Sequence, residues 1–126
     1  MKRIKPSIAF PVAWLIISTL LLTIPGKAIP QENWLGKIWF DKWVHIGMFG
    51  IMVFLWCWAI QRIVSDKTKL KNIFVFIALL CLAYGIGMEF VQKYLVNNRS
   101  FDTGDIIADA VGCVTGLIFS IRYIKN

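Results

Sequence analysis

The sequence predicts an all-α protein, a four-helix transmembrane bundle with its N and C termini cytoplasmic. Three observations carry that expectation. Hydrophobic residues make up 58% of the chain and the mean hydropathy is +0.67, above the share of about half that is usual for soluble domains. Four apolar stretches approach the roughly 20 helical residues needed to cross a hydrocarbon core of about 30 Å. The basic residues are divided among the segments between those stretches. With 126 residues the chain is expected to form one membrane domain, 1–126. A formal charge of +7 would suit nucleic acid only if it formed one exposed basic patch, and it does not, so no nucleic-acid partner is expected.

The first stretch is residues 7–24, inside "MKRIKPSIAFPVAWLIISTLLLTIPGKA". A cleaved signal peptide shares its order of basic start, apolar middle and small-residue end. The apolar part, at about 17 residues, exceeds the usual signal core, which favours a retained span. Pro25, Gly26 and Pro30 then break the pattern, and "ENWLGKIWF" reads as a surface-lying segment at the outer membrane boundary. The remaining spans are 43–60, 73–91 and 106–121. Each carries polar residues near one end, so its limits depend on interfacial anchors as well as on hydropathy. Cys57, Cys81 and Cys113 all fall inside spans without paired spacing and read as small buried hydrophobes.

Orientation follows from the excess of Lys and Arg in short cytoplasmic segments. Nine of the 14 basic residues lie on one side, in the N-terminal tail (Lys2, Arg3, Lys5), the second loop (Arg62, Lys67, Lys69, Lys71) and the C-terminal tail (Arg122, Lys125), with Asp66 the one acid among them. The other side has five basic and six acidic residues. The expected location is therefore the cytoplasmic (inner) membrane, multi-pass. Trp34, Trp39 and Trp43 gather at the outer boundary and Trp56 and Trp58 near the inner one, as amphipathic rings prefer.

That topology collects the polar residues at one face. Asp41 and His45 open span two, Glu89 and Gln92 close span three, and Arg99, Asp102, Asp105 and Asp109 lead into span four. Helical spacing aligns Asp41 with His45, Gly85 with Glu89 and Gln92, and Asp102 with Asp105 and Asp109. The last stripe continues as Gly112 and Gly116, a small-xxx-small pattern that lets another backbone approach closely. An Asp at a membrane helix centre costs about 2.5 to 3.5 kcal/mol on insertion scales. Asp109 is therefore expected to face the bundle or a wet pocket, with His45, Arg99 or Lys42 as partner. Asp102 also suits a helix N-cap.

Several chemistries fit this constellation. The carboxylates and cations could form a structural network holding helix ends together. His45 could act as a general base oriented by Asp41 or Glu89, with Glu89 itself in the reaction. No cofactor is expected as a requirement. Carboxylate oxygens suit a divalent cation, and Glu89, Asp105 and Asp109 are the expected ligands of one. A single histidine counts against a zinc site of the usual nitrogen and sulfur type. "DTG" at Asp102–Gly104 resembles an aspartic protease loop, but the second such loop and the β-rich fold are missing.

With these residues in view the sequence resembles the VanZ-like family of small bacterial membrane proteins. The resemblance rests on "DKWVHIGMFG" and "EFVQKYLVNNRSFDTGDIIADAVGCVTG", best over 41–116. Family features fall on Asp41, Lys42, His45, Phe49, Glu89, Gln92, Arg99, Asp102, Asp105, Gly112 and Gly116. Asp109 stands where many members have Asn, and "NNRS" replaces a Pro-x-Arg turn. The resemblance implies a cell-envelope protein linked to teicoplanin resistance. The expected function is binding or modulation of an envelope lipid or glycan precursor through an extracytoplasmic pocket. Its expected ligand-binding residues are Asp41, Lys42, Gln92, Arg99, Asp102, Asp105 and Asp109, and its partners membrane lipids and a cell-wall lipid precursor. The alternatives are a metal- or His-assisted hydrolase or transferase acting on a lipid headgroup, with His45 and Glu89 catalytic, and a structural or partner-binding membrane subunit using the Gly112 and Gly116 face between chains.

Overall fold

The computed structural model describes residues 7–24, 40–96 and 102–124, excepting the side chains of residues 40 and 41. Those residues are helical apart from short connections: α1 is Ala9–Leu22, α2 Phe40–Ile60, α3 Lys67–Leu95 and α4 Thr103–Tyr123. The expected surface segment of residues 32–40 lies almost wholly outside the described residues, as do Arg99 and the basic residues of the two tails, except Arg122. Both termini, expected on the cytoplasmic side, also lie outside the described residues.

α2, α3 and α4 are each long and apolar enough to cross a membrane. α1 has 14 residues, about 21 Å at 1.5 Å per residue, shorter than the expected stretch of 7–24. α3 runs well beyond the expected 73–91. Its start is set by capping rather than hydropathy: the Asp66 carboxylate accepts from the backbone N–H groups of Thr68 and Lys69 at 2.9 and 3.2 Å, donors that a helix start leaves unpaired. At 29 residues α3 is about 43 Å long, more than the roughly 30 Å that a hydrocarbon core requires.

The helices alternate in direction, and α2 and α4 run parallel at a near-constant offset. Lys42 meets Asp105 and His45 meets Asp109; further along, Gly112 lies on Ile46 and Gly116 on Gly50. A Cβ added at Gly112 would sit 2.5 Å from the Ile46 carbonyl oxygen, and one at Gly116 would sit 2.6 Å from that of Gly50. Only glycine allows this approach, which is the packing that small residues permit between membrane helices. The Gly112 and Gly116 face is thus occupied by α2 of the same chain.

Phe49, Met52, Val53 and Cys57 of α2 and Phe74 of α3 form the centre of the core. Large apolar side chains such as Phe76, Leu79, Val114 and Ile118 point outward, the pattern of a bundle whose solvent is lipid. α1 packs on α2 and α3 and is held by polar contacts: the Trp14 indole donates to the Met48 carbonyl at 2.9 Å, and the Thr19 and Tyr84 hydroxyls are 2.6 Å apart. Hydrogen bonds of this kind between membrane helices contribute about 0.6 to 2 kcal/mol each.

The close contact makes a testable distinction among glycines. Gly112→Ala and Gly116→Ala should each destabilise the detergent-solubilised protein by about 1 to 3 kcal/mol through overpacking against backbone. Gly47→Ala and Gly87→Ala, where nothing lies within 4 Å of the added carbon, should not. Thermal unfolding followed by helical circular dichroism measures the difference.

Candidate functional site

The polar residues converge where α2 and α4 begin and α3 ends. On α4, Asp105, Asp109, Gly112 and Gly116 are all buried, as one helical face requires. On α3 the buried stripe is Gly85, Met88, Glu89 and Gln92. On α2, His45 is buried at the same level. Asp109 and Glu89 are each 1% exposed, and Asp109 lies about 6 Å from the middle of α4. At that depth its carboxylate meets protein, avoiding the cost of lipid contact.

The deepest contact is between His45 Nδ1 and Asp109 Oδ1, 2.7 Å apart. With Asp109 ionised, its oxygen accepts and Nδ1 carries the proton, which leaves the Nε2 lone pair of a neutral imidazole available. Nε2 lies 3.7 Å from Asp105 Oδ2. The other Asp105 oxygen accepts from Lys42 Nζ at 2.7 Å, and Lys42 also pairs with Asp102. Glu89 Oε2 accepts from the backbone N–H of Asp102 at 3.0 Å. One chain of contacts therefore runs from the Asp102 carboxylate, 45% exposed, down to Asp109.

The floor and back wall are apolar. The Phe49 ring lies parallel to the His45 imidazole one turn below it and packs on Tyr84. Gly85 is small because the space is taken: an added Cβ would meet Asp109 Oδ2 at 2.7 Å and the Phe49 ring at 3.0 Å.

Asp102 is the N-cap of α4 and accepts from Gly104 N–H at 2.8 Å. The Lys42 hydrogen bond above all holds its carboxyl below the ordinary aspartate value of 3.8, with the Gly104 and Asp105 N–H groups acting in the same direction against partial burial.

The structure redistributes the expected roles. The carboxylate that orients His45 is Asp109; Glu89 is close by, and the Asp41 side chain is outside the described residues. For a cation, the donors that share one spot among the described residues are those of His45, Glu89 and Asp109, where the expected set was Glu89, Asp105 and Asp109. Gln92 donates its amide to the Leu22 carbonyl at 2.9 Å and so holds the end of α1. Lys93 lies over the Tyr94 ring, 5.1 Å from its centre. Tyr84 and Thr19 were not singled out by sequence; the Tyr84 position beside Gly85 at the edge of the polar stripe was the available signal.

Helices of membrane-crossing length around a buried His and carboxylate cluster define the class, a small helical membrane protein with a polar site near one end. The chain belongs to the VanZ/LLP1 family, whose model matches residues 7–124. It is 30% identical over 123 residues to an uncharacterized protein of Schizosaccharomyces pombe, covering 97% of this chain and 67% of the yeast protein. No solved structure matches the chain.

The Lys42–Asp102 pair gives a pH prediction with a definite sign. A lowered carboxyl value means that its contribution to stability is present above the ordinary value of 3.8 and is lost as pH falls through the lowered one. Asp102→Asn keeps a capping side chain but removes the charge. It should lower the unfolding midpoint slightly at neutral pH, and the gap from the native protein should close below pH of about 4 and shrink in high salt. Melting curves at several pH values measure both effects.

Proposed function

We propose that this chain binds the polar headgroup of a membrane lipid at the outer end of its bundle, with both termini cytoplasmic. The observation that carries this reading is the path of polar contacts from exposed Asp102 through Lys42 and Asp105 to buried His45 and Asp109. The side chains flanking that path are exposed and apolar or aromatic: Trp43, Ile107, Tyr94 and Leu95. A ligand that reaches Lys42 at membrane-boundary depth therefore arrives beside lipid, with its acyl part against those side chains and its headgroup against the polar ones.

A purely structural network accounts for less of this arrangement. Two helix ends need a cap and one ion pair, which Asp102 and Lys42 supply. A further His and three buried carboxylates are costly to desolvate and exceed what that task requires. The headgroup reading also supports a place in the cell envelope and the link to teicoplanin resistance that the resemblance implies, through a lipid-linked wall precursor in a bacterial membrane. The yeast relative favours a headgroup feature common to both kinds of membrane, such as a phosphodiester or its hydroxyl-bearing substituent. Arg99, next to the entrance in sequence, would meet phosphate in the bidentate geometry that guanidinium favours.

A second reading has one specific observation in its favour. An imidazole held by a buried carboxylate at 2.7 Å is the arrangement of an oriented general base. On that reading His45 withdraws a proton from water or a headgroup hydroxyl, and Glu89 steadies the substrate.

One experiment separates these possibilities. The protein and its Lys42→Ala, Arg99→Ala and His45→Gln variants are extracted in mild detergent and the co-purifying lipids are measured by mass spectrometry, with folding checked by circular dichroism. The binding reading expects one lipid class enriched over bulk membrane and reduced at least several-fold in Lys42→Ala and Arg99→Ala. Bulk composition in the native protein would overturn it. The catalytic reading expects headgroup cleavage or transfer on incubation, abolished in His45→Gln, and fails if the bound lipid is returned intact.

A further inference from the structure

We propose that His45, Glu89 and Asp109 form the binding site of one divalent cation of the manganese-to-zinc series, which leaves at least one coordination position open toward the headgroup side. The three residues come from α2, α3 and α4 respectively, and all three are buried. Their donor atoms lie within 4.8 Å of one another. An ion about 2.1 Å from each donor in tetrahedral geometry needs them about 3.4 Å apart. The widest pair must then close by about 1.4 Å, and the His45 Nδ1–Asp109 Oδ1 pair, 2.7 Å apart, must open by about 0.7 Å as the ion replaces the proton between them. One imidazole nitrogen with two carboxylate oxygens suits borderline ions such as Mn²⁺, Co²⁺ and Zn²⁺ better than the all-oxygen sites of Ca²⁺.

Charge supplies an independent reason for a cation there. Among the described residues, Glu89, Asp105 and Asp109 are buried carboxylates that share one imidazole, and Lys42 is placed on Asp102 and Asp105. His45 lies within 4.8 Å of both Glu89 and Asp109, and as a neutral imidazole it brings them a hydrogen-bond partner but no charge. Two carboxylates of this burial need opposite charge or protons. A divalent ion supplies both charges at one point, in place of the proton now shared between His45 and Asp109.

The surroundings favour a built site over an incidental cluster. The Phe49 ring closes the floor, and Gly85 leaves Asp109 Oδ2 room that an alanine would fill. Glu89 is positioned from behind by the Asp102 N–H, and Asp105 lies 3.7 Å from His45 Nε2 as an adjacent carboxylate. Outer partners of this kind fix metal ligands in orientation and commonly change affinity by 10- to 100-fold. The ion would also resolve a conflict within the headgroup reading: phosphate is repelled by carboxylates, whereas a cation held by them attracts it. The inference rests on the same site as that reading, but the cation's binding does not depend on it.

The test is titration of the purified, chelator-washed protein in lipid-free detergent with Co²⁺, followed by visible absorption, with Mn²⁺ and Zn²⁺ measured by competition and by elemental analysis. One ion per chain is expected, with a cobalt spectrum characteristic of nitrogen and oxygen ligands in four- or five-coordination. His45→Ala, Glu89→Gln and Asp109→Asn should each weaken binding at least tenfold. Asp66→Asn, which alters an acid at the opposite end of the bundle, should leave it unchanged. The isosteric Glu89→Gln and Asp109→Asn changes keep the comparison valid if His45→Ala unfolds. Failure of the folded native protein to bind any of the three ions stoichiometrically, or equal binding in all three site variants, would overturn the proposal. Since no lipid is present, that failure would leave headgroup binding untouched, and bulk lipid composition with intact cobalt binding would do the reverse.

Discussion

Backbone contact between α2 and α4 at Gly112 and Gly116 fixes the register in which their side chains meet. Parallel helices that touch through carbonyl oxygens and α-carbons cannot slide by a residue without driving a side chain into backbone. With Gly112 seated on Ile46, Asp109 falls beside His45 and Asp105 beside Lys42. The polar site is therefore a consequence of helix packing one turn deeper. Its geometry is set by groups that carry no charge.

That register matters because the surroundings offer no alternative partner. In lipid an ionisable group pairs inside the protein or is costly to insert. Asp109 and Glu89 are held among three helices, and the remaining helix is tied to the same end through the Gln92 amide on the Leu22 carbonyl and the Thr19–Tyr84 pair. Gln92 and Tyr84 bracket Glu89 and Gly85 on α3, so α1 steadies the helix that forms the back of the site. A change at α1 could thus alter the site without touching it.

Much of this was legible in the sequence, for identifiable reasons. The 3.6-residue period placed Asp105, Asp109, Gly112 and Gly116 on one face, and the structure buries all four. Asp102 was readable as a cap because capping is local. The pairing of Asp109 with His45 was one of three the sequence allowed, and the structure makes it; spacing within a helix says which way a residue points but not the level at which another helix meets it, so the choice among the three was open. Asp109 was among the groups expected near His45, while Asp41 and Glu89 had been expected to orient it. Gln92 looked like a pocket residue because its stripe is polar, and only the tertiary arrangement shows its amide spent on α1. The start of α3 at Lys67 came from Asp66 capping a polar turn that hydropathy discounts.

The claim on which the rest depends is that the glycine contact brings His45 and Asp109 together as an interacting pair. A double-mutant cycle on His45→Asn and Asp109→Asn, read from reversible unfolding in detergent, measures their coupling directly. A coupling of about 1 kcal/mol or more at neutral pH is expected for a buried hydrogen-bonded pair. Strictly additive effects of the two substitutions would contradict it.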